Sequence, residues 1–305
     1  MDRPPIWISG GTGLVGTRLV QALRDDEAPL RLVTRRPDSL PAQPGVSLHA
    51  WDGVHVETGP LEGAAAAVHL AGEPVFGGPA TAARKQRIWS SRVESTRSLV
   101  EALTRLPSSL RPRVLVCASA VGFYGDRGEA SLDESAEPGQ GFLADLCQAW
   151  EREAAVAAGA QVRVVSLRIG IVLAREGGAL GRLLPIFRLG LGGPVGSGQQ
   201  WMPWVHVDDL VALVRHALTV ETLSGPVNAV APGPVRNAEF TRAVARAVRR
   251  PAFLRVPGFA LRAPMGDLAG ELLGSRRLVP ARALASGFRF RHERLETALA
   301  TELAG

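Results

Sequence analysis

Residues 5–16 read PIWISGGTGLVG, and this stretch decides the fold. Pro5–Ser9 is a short apolar run typical of a buried strand, and Leu14–Arg24 repeats apolar residues at helical spacing. Gly10 and Gly13 lie between the two segments, and Gly16 lies in the first turn of the helical one. The stretch therefore predicts a strand, a tight glycine-rich turn and a helix, in that order.

In this setting the glycine turn predicts a phosphate-binding loop. Gly10 and Gly13 allow the backbone to turn tightly and approach a pyrophosphate, whereas Gly16 allows the helix to pack against the strand. The first N–H groups of the helix then present partial positive charge to the anion. The candidate cofactor contacts here are Gly10, Thr12, Gly13, Leu14, Val15 and Gly16. The alternative interpretation is a tight turn without a ligand.

The end of the second predicted strand, Leu30–Thr34, distinguishes between two cofactors. NAD-binding domains of this kind place a carboxylate there to accept from the ribose 2′-hydroxyl, and a carboxylate would repel a 2′-phosphate. The residues here are Thr34, Arg35 and Arg36. Two guanidiniums suit a phosphate dianion through forked, charge-assisted hydrogen bonds. We therefore expect NADP(H) rather than NAD(H), the alternative being two solvated arginines.

The rest of the first half alternates apolar runs with amphipathic segments, which is typical of a parallel sheet with helices on both faces. The predicted strands are residues 66–71, 113–119 and 162–171, and the predicted helices are residues 82–105 and 142–159. After residue 172 the rhythm changes to a glycine-rich loop and an arginine-rich helical segment. We predict an α/β, doubly wound parallel-sheet Rossmann domain over residues 1–172, completed by parts of 205–232. A smaller, mostly helical substrate lobe is predicted over residues 173–305.

Composition and charge exclude several other classes. Hydrophobic residues make up 46% and charged residues 21% of the chain, as in folded globular proteins. No apolar run reaches the roughly 18–20 residues of a membrane span, and no signal peptide is recognisable, so we expect a cytoplasmic protein. The net charge is +6, but dispersed arginines and sparse aromatics argue against nucleic-acid binding. The histidines are scattered, and Cys117 and Cys147 lie in apolar runs, so the sequence predicts no metal site.

Several motifs together resemble the extended short-chain dehydrogenase/reductase superfamily. They are SGGTGLVG, VTRRP, VHLAGEP, WSSRVEST, ASAVGFYG, RIGIVLAREGGAL and GELLGSRRLVPARALASGFRF. Within the superfamily the chain resembles the atypical, NAD(P)-dependent epimerase-like family that closes with a domain of unknown function. The resemblance covers nearly the whole chain and implies a Rossmann fold that binds NADP(H).

The resemblance also implies roles for individual residues. Thr34 and Arg35 would border the adenosine phosphate. The remaining cofactor contacts would be Leu70, Ala71, Gly72, Glu73 and Arg92. The alternative for Leu70–Gly72 is ordinary packing at a strand end, and the alternative for Arg92 is a solvated charge on a helix.

Active members of that superfamily carry a Tyr-x-x-x-Lys pair, in which the lysine lowers the pKa of the tyrosine so that it exchanges a proton with the substrate. The corresponding segment here, GFLADLCQAWEREA, contains neither residue type. It places Leu143 or Phe142 at the tyrosine position and Leu146 or Cys147 at the lysine position. The catalytic candidates that remain are Ser119 and Tyr124.

Each of these candidates has an alternative. Ala120 competes with Ser119 for the serine position of the superfamily, and Tyr124 fits a packing role with one satisfied hydroxyl. Glu73 is a further candidate acid.

Four polar residues elsewhere have structural explanations. Asp208 and Asp209 are predicted to cap the helix that follows them, His206 to be buried, and Arg168 to form a structural ion pair.

The tryptophans of the glycine-rich loop leave two interpretations open. Trp201 and Trp204 either stack on a sugar or base or pack in the core.

Two functions follow as hypotheses. The first is an NADP(H)-dependent oxidoreductase or epimerase-like enzyme on a small substrate, nucleotide-linked compounds included. The second is a non-catalytic, NADP(H)-gated regulatory or binding protein. The sequence leaves the substrate open, and it leaves the oligomeric state open between a monomer and a homodimer.

Overall fold

The computed structural model describes residues 3–75 and 78–303. In this part of the chain the strands are β1 (Ile6–Ser9), β2 (Leu30–Thr34), β3 (Val46–Ala50), β4 (Ala66–His69), β5 (Val114–Ala120), β6 (Ser131–Leu132), β7 (Arg163–Ile169), β8 (Ile171–Ala174), β9 (Trp201–Met202), β10 (Trp204–His206), β11 (Gly225–Ala229), β12 (Val235–Arg236) and β13 (Arg277–Leu278). The α-helices are α1 (Leu14–Asp25), α2 (Ala82–Trp89), α3 (Ser95–Arg105), α4 (Phe142–Ala155), α5 (Gly178–Arg188), α6 (Val207–Thr219), α7 (Asn237–Ala247), α8 (Gly258–Met265), α9 (Gly270–Leu273), α10 (Ala281–Ala285) and α11 (Leu295–Leu303).

A seven-stranded parallel sheet forms the centre, in the order β11-β7-β5-β4-β1-β2-β3. The order reverses between β1 and β4, which creates the crevice where doubly wound sheets bind ligands. The predicted doubly wound Rossmann fold is therefore confirmed. The contribution expected from residues 205–232 is β11 at one sheet edge together with α6, whereas the domain boundary near residue 172 remains a prediction.

Alternating side chains of the strands pack against helices on both faces of the sheet. In β1, Ile8 points into the cluster that includes Leu19 of α1 and Leu210 of α6, and Trp7 points into the cluster that includes Leu99 of α3. These five side chains are buried, and Trp150 of α4 is a further buried member of the second cluster. The period of two along each strand places one apolar layer on each face.

A third cluster lies outside the sheet and forms the core of the C-terminal lobe. Its buried members include Leu184 of α5, Phe240 of α7 and Leu299 of α11, together with residues of β8, β9 and β10. The strand pairs β8 with β10 and β6 with β13 connect this lobe to the Rossmann part, whereas β9 pairs with β12 within the lobe. The lobe thus packs along the carboxyl edge of the sheet.

Two predicted elements are interrupted. The helix predicted over 82–105 contains a π-helical segment, Ser90–Glu94, between α2 and α3. The strand predicted over 162–171 ends at Ile169, and the chain resumes as β8 after Gly170. A Cβ on Gly170 would lie 2.8 Å from the carbonyl oxygen of Pro203, so the chain changes its strand partner where two backbones approach closely.

Among the helices of residues 3–75 and 78–303, none combines the length and the hydropathy that a membrane crossing requires.

Candidate functional site

The glycine turn connects β1 directly to α1. Gly10 adopts a φ of +74°, which favours glycine, and the N–H of Gly13 donates to the Gly10 carbonyl oxygen at 3.0 Å. A Cβ on Gly10 would lie 2.7 Å from the backbone of Leu70 and Ala71. One on Gly16 would lie 2.0 Å from the Gly10 oxygen, so neither position accepts a side chain.

The amino end of α1 is open toward solvent. Its N-cap is Gly13, which has no side chain to satisfy the first N–H groups, and the first turn carries no acidic residue. Thr12 and Gly13 are exposed, whereas Leu14 and Val15 are half-buried. The free N–H groups and the helix dipole therefore fit an anion such as a pyrophosphate.

The end of β2 lies beside this turn, because β1 and β2 are parallel and Ser9 pairs with Val33. Thr34 is half-buried, and Arg35 and Arg36 are exposed. Within residues 3–75 and 78–303, no carboxylate forms an ion pair with either guanidinium. Two unpaired positive charges thus flank the helix terminus.

The loop after β4 forms the opposite wall. The N–H of Glu73 donates to Ser91 Oγ at 3.0 Å, and Arg92 Nη1 donates to the Glu73 carbonyl oxygen at 2.9 Å. A Cβ on Gly72 would lie 3.1 Å from the Arg92 guanidinium carbon. Ser91 and Arg92 belong to the π-helical segment, a distortion frequent at functional sites. Burial lowers the pKa of Arg92.

The structure therefore brings together the residues expected at the cofactor cleft. Leu70 and Ala71 contact the glycine turn, and Gly72 contacts Arg92. The Arg35–Arg36 pair lies across the crevice, at the end of the neighbouring strand.

Ser119 and Tyr124 are linked by a buried polar network. Ser119 Oγ donates to Glu151 Oε1 at 2.6 Å, and Glu151 accepts two hydrogen bonds of 2.9 Å from Arg168. Arg168 Nη1 donates to the Tyr124 hydroxyl at 2.8 Å, and that hydroxyl donates to Asn228 Oδ1 at 2.6 Å. The structural ion pair predicted for Arg168 is confirmed, with Glu151 as its partner.

The surroundings of Tyr124 disfavour proton exchange at neutral pH. Its side chain is fully buried, and burial raises its pKa to about 12 despite the opposing effect of Arg168. The guanidinium of Arg168 also lies 3.4 Å from the centre of the Phe123 ring. Of the two alternatives from sequence, this geometry favours packing for Tyr124.

The positions aligned with the missing tyrosine and lysine face Gly122. A Cβ on Gly122 would lie 3.4 Å from Leu143 Cβ and 3.7 Å from Cys147 Sγ. The same point is 3.3 Å from Oε2 of Glu271, a residue of α9. Burial raises the pKa of Cys147 to about 12, so its thiol stays protonated. A carboxylate from the C-terminal segment therefore lies beside the Leu143–Cys147 pair.

A small recess of about 10 Å³, enough for about one water molecule, opens next to Glu271. Its walls include Val121, Ile171, Trp201, Pro203, Glu271 and Arg276. Val121 follows β5 and Ile171 opens β8, so the recess lies at the carboxyl ends of the strands, as the glycine turn does. Trp201 lines this recess, but its indole N–H donates to Glu129 Oε2 at 3.0 Å and the guanidiniums of Arg236 and Arg277 lie over its ring. Trp204 is buried and donates its indole N–H to the Gly233 carbonyl oxygen at 2.9 Å.

The predicted capping role of Asp208 and Asp209 is wrong. His206 is the N-cap of α6, and its Nδ1 accepts from the N–H of Asp208 at 3.2 Å. Asp209 is buried instead and accepts from the N–H groups of Arg291 and His292 at 2.7 and 2.9 Å. The Asp209 carboxylate is thus hydrogen-bonded to the backbone of the C-terminal segment and does not cap α6. His206 is fully buried, as predicted.

Sequence reasoning missed Glu151, Asn228 and Glu271. Each is brought to the site by an element distant from its contact partners in the chain, so the spacing of residues in the sequence does not predict the contact. The one available signal for Glu271 is its place in GELLG, where a single acidic residue precedes two leucines.

Comparisons with known proteins agree with this geometry. The model of the NAD dependent epimerase/dehydratase family matches residues 6–229, and that of a domain of unknown function matches residues 256–302. The epimerase family protein SDR39U1 homolog, chloroplastic, of Arabidopsis thaliana is 38% identical over 301 residues, covering 96% of this chain and 84% of the relative.

Two solved structures are similar over nearly the whole chain. Human epimerase family protein SDR39U1 (isoform 2), crystallised with NADPH, has a TM-score of 0.88 and 34% identity and covers 99% of both chains. A nucleoside-diphosphate sugar epimerase from Corynebacterium glutamicum has a TM-score of 0.80 and 34% identity, covering 99% of this chain and 58% of its own. The cofactor expected from the sequence is thus the one in the human structure.

Proposed function

This chain belongs to the NAD dependent epimerase/dehydratase family, and we propose that it is an NADP(H)-dependent oxidoreductase or epimerase-like enzyme acting on a small carbonyl or alcohol substrate. The observation that carries the proposal is the uncapped glycine turn at α1 with the unpaired Arg35 and Arg36 beside it. A nucleotide-linked compound is the substrate class that the similarity to a nucleoside-diphosphate sugar epimerase supports.

Different residues of the crevice bind different parts of the cofactor. The amino end of α1 accepts the pyrophosphate, because its first N–H groups lack a capping side chain. Arg35 and Arg36 bind the 2′-phosphate, and Thr34 lies at the same strand end. Leu70–Glu73 and Arg92 form the opposite wall.

When bound, NADPH supplies a hydride for transfer to a carbonyl carbon. The chain must then orient the substrate, exclude water and provide a proton. Trp201 and Glu271 line a small recess at the carboxyl edge of the sheet and are the side chains placed to face a substrate bound there.

The test is a fluorescence titration of the protein with NADPH and NADH. We expect NADPH to bind more tightly than NADH. Arg35→Asp should weaken NADPH binding about 10- to 100-fold, because it removes a charge-assisted phosphate contact worth about 1.5–3 kcal/mol. NADH binding should change little.

Arg113→Asp is the matched control. Arg113 is also exposed, but it precedes β5 at the amino edge of the sheet, away from the crevice. The same change of charge there should leave the NADPH affinity within about twofold. Failure of the unmodified protein to bind either nucleotide would overturn the proposal.

The absence of tyrosine and lysine from α4 favours a second candidate function, a cofactor-gated binding protein without catalysis. In that case NADPH binds as above, and a partner protein recognises the loaded form. Affinity capture with NADP⁺, NADPH or no ligand tests it. An identical set of captured proteins under all three conditions would contradict gating.

A further inference from the structure

Glu271 has a buried oxygen that no protein donor satisfies. Its Oε2 atom makes no hydrogen bond within the described residues, although carboxylate oxygens in protein interiors are normally paired. The atom faces the recess, and its residue forms part of the recess wall. An unpaired buried acceptor of this kind points to a group that arrives from outside the chain.

The neighbouring cation does not satisfy this oxygen. Arg276 Nη2 lies 3.3 Å from Glu271 Oε2 but is not aligned as a hydrogen-bond donor. Arg276 donates instead to backbone carbonyl oxygens, through Nε to Gly125 at 2.7 Å, Nη1 to Glu271 at 3.2 Å and Nη2 to Gly270 at 3.2 Å. Arg276 therefore fixes the backbone around α9 and forms an ion pair with Glu271, but it donates no hydrogen bond to Oε2.

The Glu271 carboxyl lies beside the positions at which this chain lacks the tyrosine and lysine of the superfamily. Leu143 and Cys147 occupy the places of the superfamily's tyrosine and lysine, and both lie against Gly122, as Glu271 does. The ionisable groups that face Glu271 are Arg276 from its own segment and Cys147 from α4. Cys147 stays protonated because burial raises its pKa to about 12. The carboxyl that lies within contact distance of the Gly122 position, beside Leu143 and Cys147, is that of Glu271.

We propose that Glu271, in the segment matched by the domain of unknown function, is the catalytic acid–base residue of this site. The inference rests on the proposed function. As the hydride from NADPH bonds to the carbonyl carbon, the π electrons of the C=O bond move to oxygen. That oxygen takes the proton of the Glu271 carboxyl, leaving a carboxylate. The carbonyl compound is reduced to an alcohol, NADPH is oxidised to NADP⁺, and water returns a proton to Glu271.

The test compares Glu271→Gln with Asp267→Asn. Asp267 precedes α9 in the same segment, but its side chain is 70% exposed and pairs with Lys85. Each change replaces a carboxyl by an amide of the same shape. We measure NADPH affinity, thermal stability, and NADPH oxidation with 4-nitrobenzaldehyde, diacetyl and a nucleoside-diphosphate 4-keto sugar.

We expect Glu271→Gln to lower kcat by about 100-fold or more while the NADPH affinity stays unchanged. Glu271→Asp retracts the carboxyl by one methylene and should recover part of the rate. Asp267→Asn should behave as the unmodified protein.

A spectroscopic readout gives evidence independent of turnover. The infrared difference spectrum between acidic and neutral pH should contain a carboxyl C=O band from Glu271 in the NADPH-loaded protein. The band should be absent from Glu271→Gln and present in Asp267→Asn, and its pH midpoint should match that of turnover.

The outcomes separate the two proposals. Unchanged turnover in Glu271→Gln, or a spectrum identical to that of the unmodified protein, overturns the role of Glu271 and leaves the proposed function standing. NADPH binding without oxidation by the unmodified protein on any of the three probes overturns the enzyme proposal, and the role of Glu271 falls with it.

Discussion

At the scale of single residues, the hydroxyl of Tyr124 connects two parts of the site that local sequence keeps apart. Tyr124 follows β5, and its hydroxyl accepts from Arg168 of β7 and donates to Asn228 of β11. Both partners are buried, so each depends on this oxygen for a hydrogen bond that water does not replace. The residue therefore contributes to stability through its hydroxyl as well as through its ring.

Tyr124→Phe should lower the free energy of unfolding by about 1–3 kcal/mol, because it removes the hydrogen bonds that Asn228 Oδ1 and Arg168 Nη1 make with the buried hydroxyl. Urea unfolding measures the loss, and an NADPH titration of the same variant is the control. We expect the NADPH affinity to be retained. Unchanged stability together with lost turnover would assign a chemical role to the hydroxyl instead.

At the scale of elements, His69 connects two strands and a helix beneath the crevice. Its ring, at the end of β4, lies 2.6 Å from Ser9 Oγ of β1 and 3.2 Å from Ser95 Oγ of α3. Burial, aided by the charge of Arg92, lowers the pKa of His69 from 6.5 to about 4. The folded protein thus holds this histidine neutral where the unfolded chain would protonate it.

This difference makes stability depend on pH. Between pH 6.5 and 4 the unfolded state binds the additional proton, so stability falls as the pH falls through this range and is fully present above it. We expect a loss of about 3 kcal/mol from this residue between pH 7.5 and 4. Urea unfolding at both pH values measures it.

His69→Gln removes the titrating group and should reduce the pH-dependent loss by that amount. His55→Gln, at an exposed histidine, serves as the matched control and should retain the full dependence. An equal pH dependence in the His69→Gln variant and the unmodified protein would contradict this account.

The elements also show what local sequence can predict. The β1–α1 unit follows from residues 5–24, because its strand run, glycines and apolar stripe lie together in the chain. The break at Gly170 was missed, since it depends on the approach of Pro203 from a later segment. The sequence does not predict the N-cap of α6, because the Asp209 carboxylate accepts hydrogen bonds from the backbone N–H groups of residues 291–292 instead.

At the scale of the whole molecule, Asp209 attaches the C-terminal segment to the Rossmann part. It lies in the first turn of α6 and holds residues 291–292 through two backbone hydrogen bonds and a contact of 3.2 Å to His292 Nδ1. The rings of His206 and His292 stack at 3.8 Å beside it. Contacts between such distant segments produce no periodic pattern of apolar residues. The sequence therefore predicts the sheet but not the attachment of the C-terminal segment.

Asp209→Ala should destabilise the protein by about 3 kcal/mol, because it leaves buried N–H donors without an acceptor. Hydrogen exchange should show the loss first at residues 291–303, with the central sheet still protected. Asp208→Ala, at the half-exposed neighbour, is the control and should cost less than about 1 kcal/mol. Uniformly increased exchange throughout the sheet would contradict local attachment.

The position of Glu271 also has a consequence for biosynthesis. During translation the glycine turn and the first strands leave the ribosome early, and amino-terminal regions of nascent chains generally fold first. The nascent chain can therefore acquire its nucleotide crevice before Glu271 has been polymerised. On the role proposed for Glu271, we expect a ribosome-bound chain stalled before α9 to bind NADPH without turning over substrate.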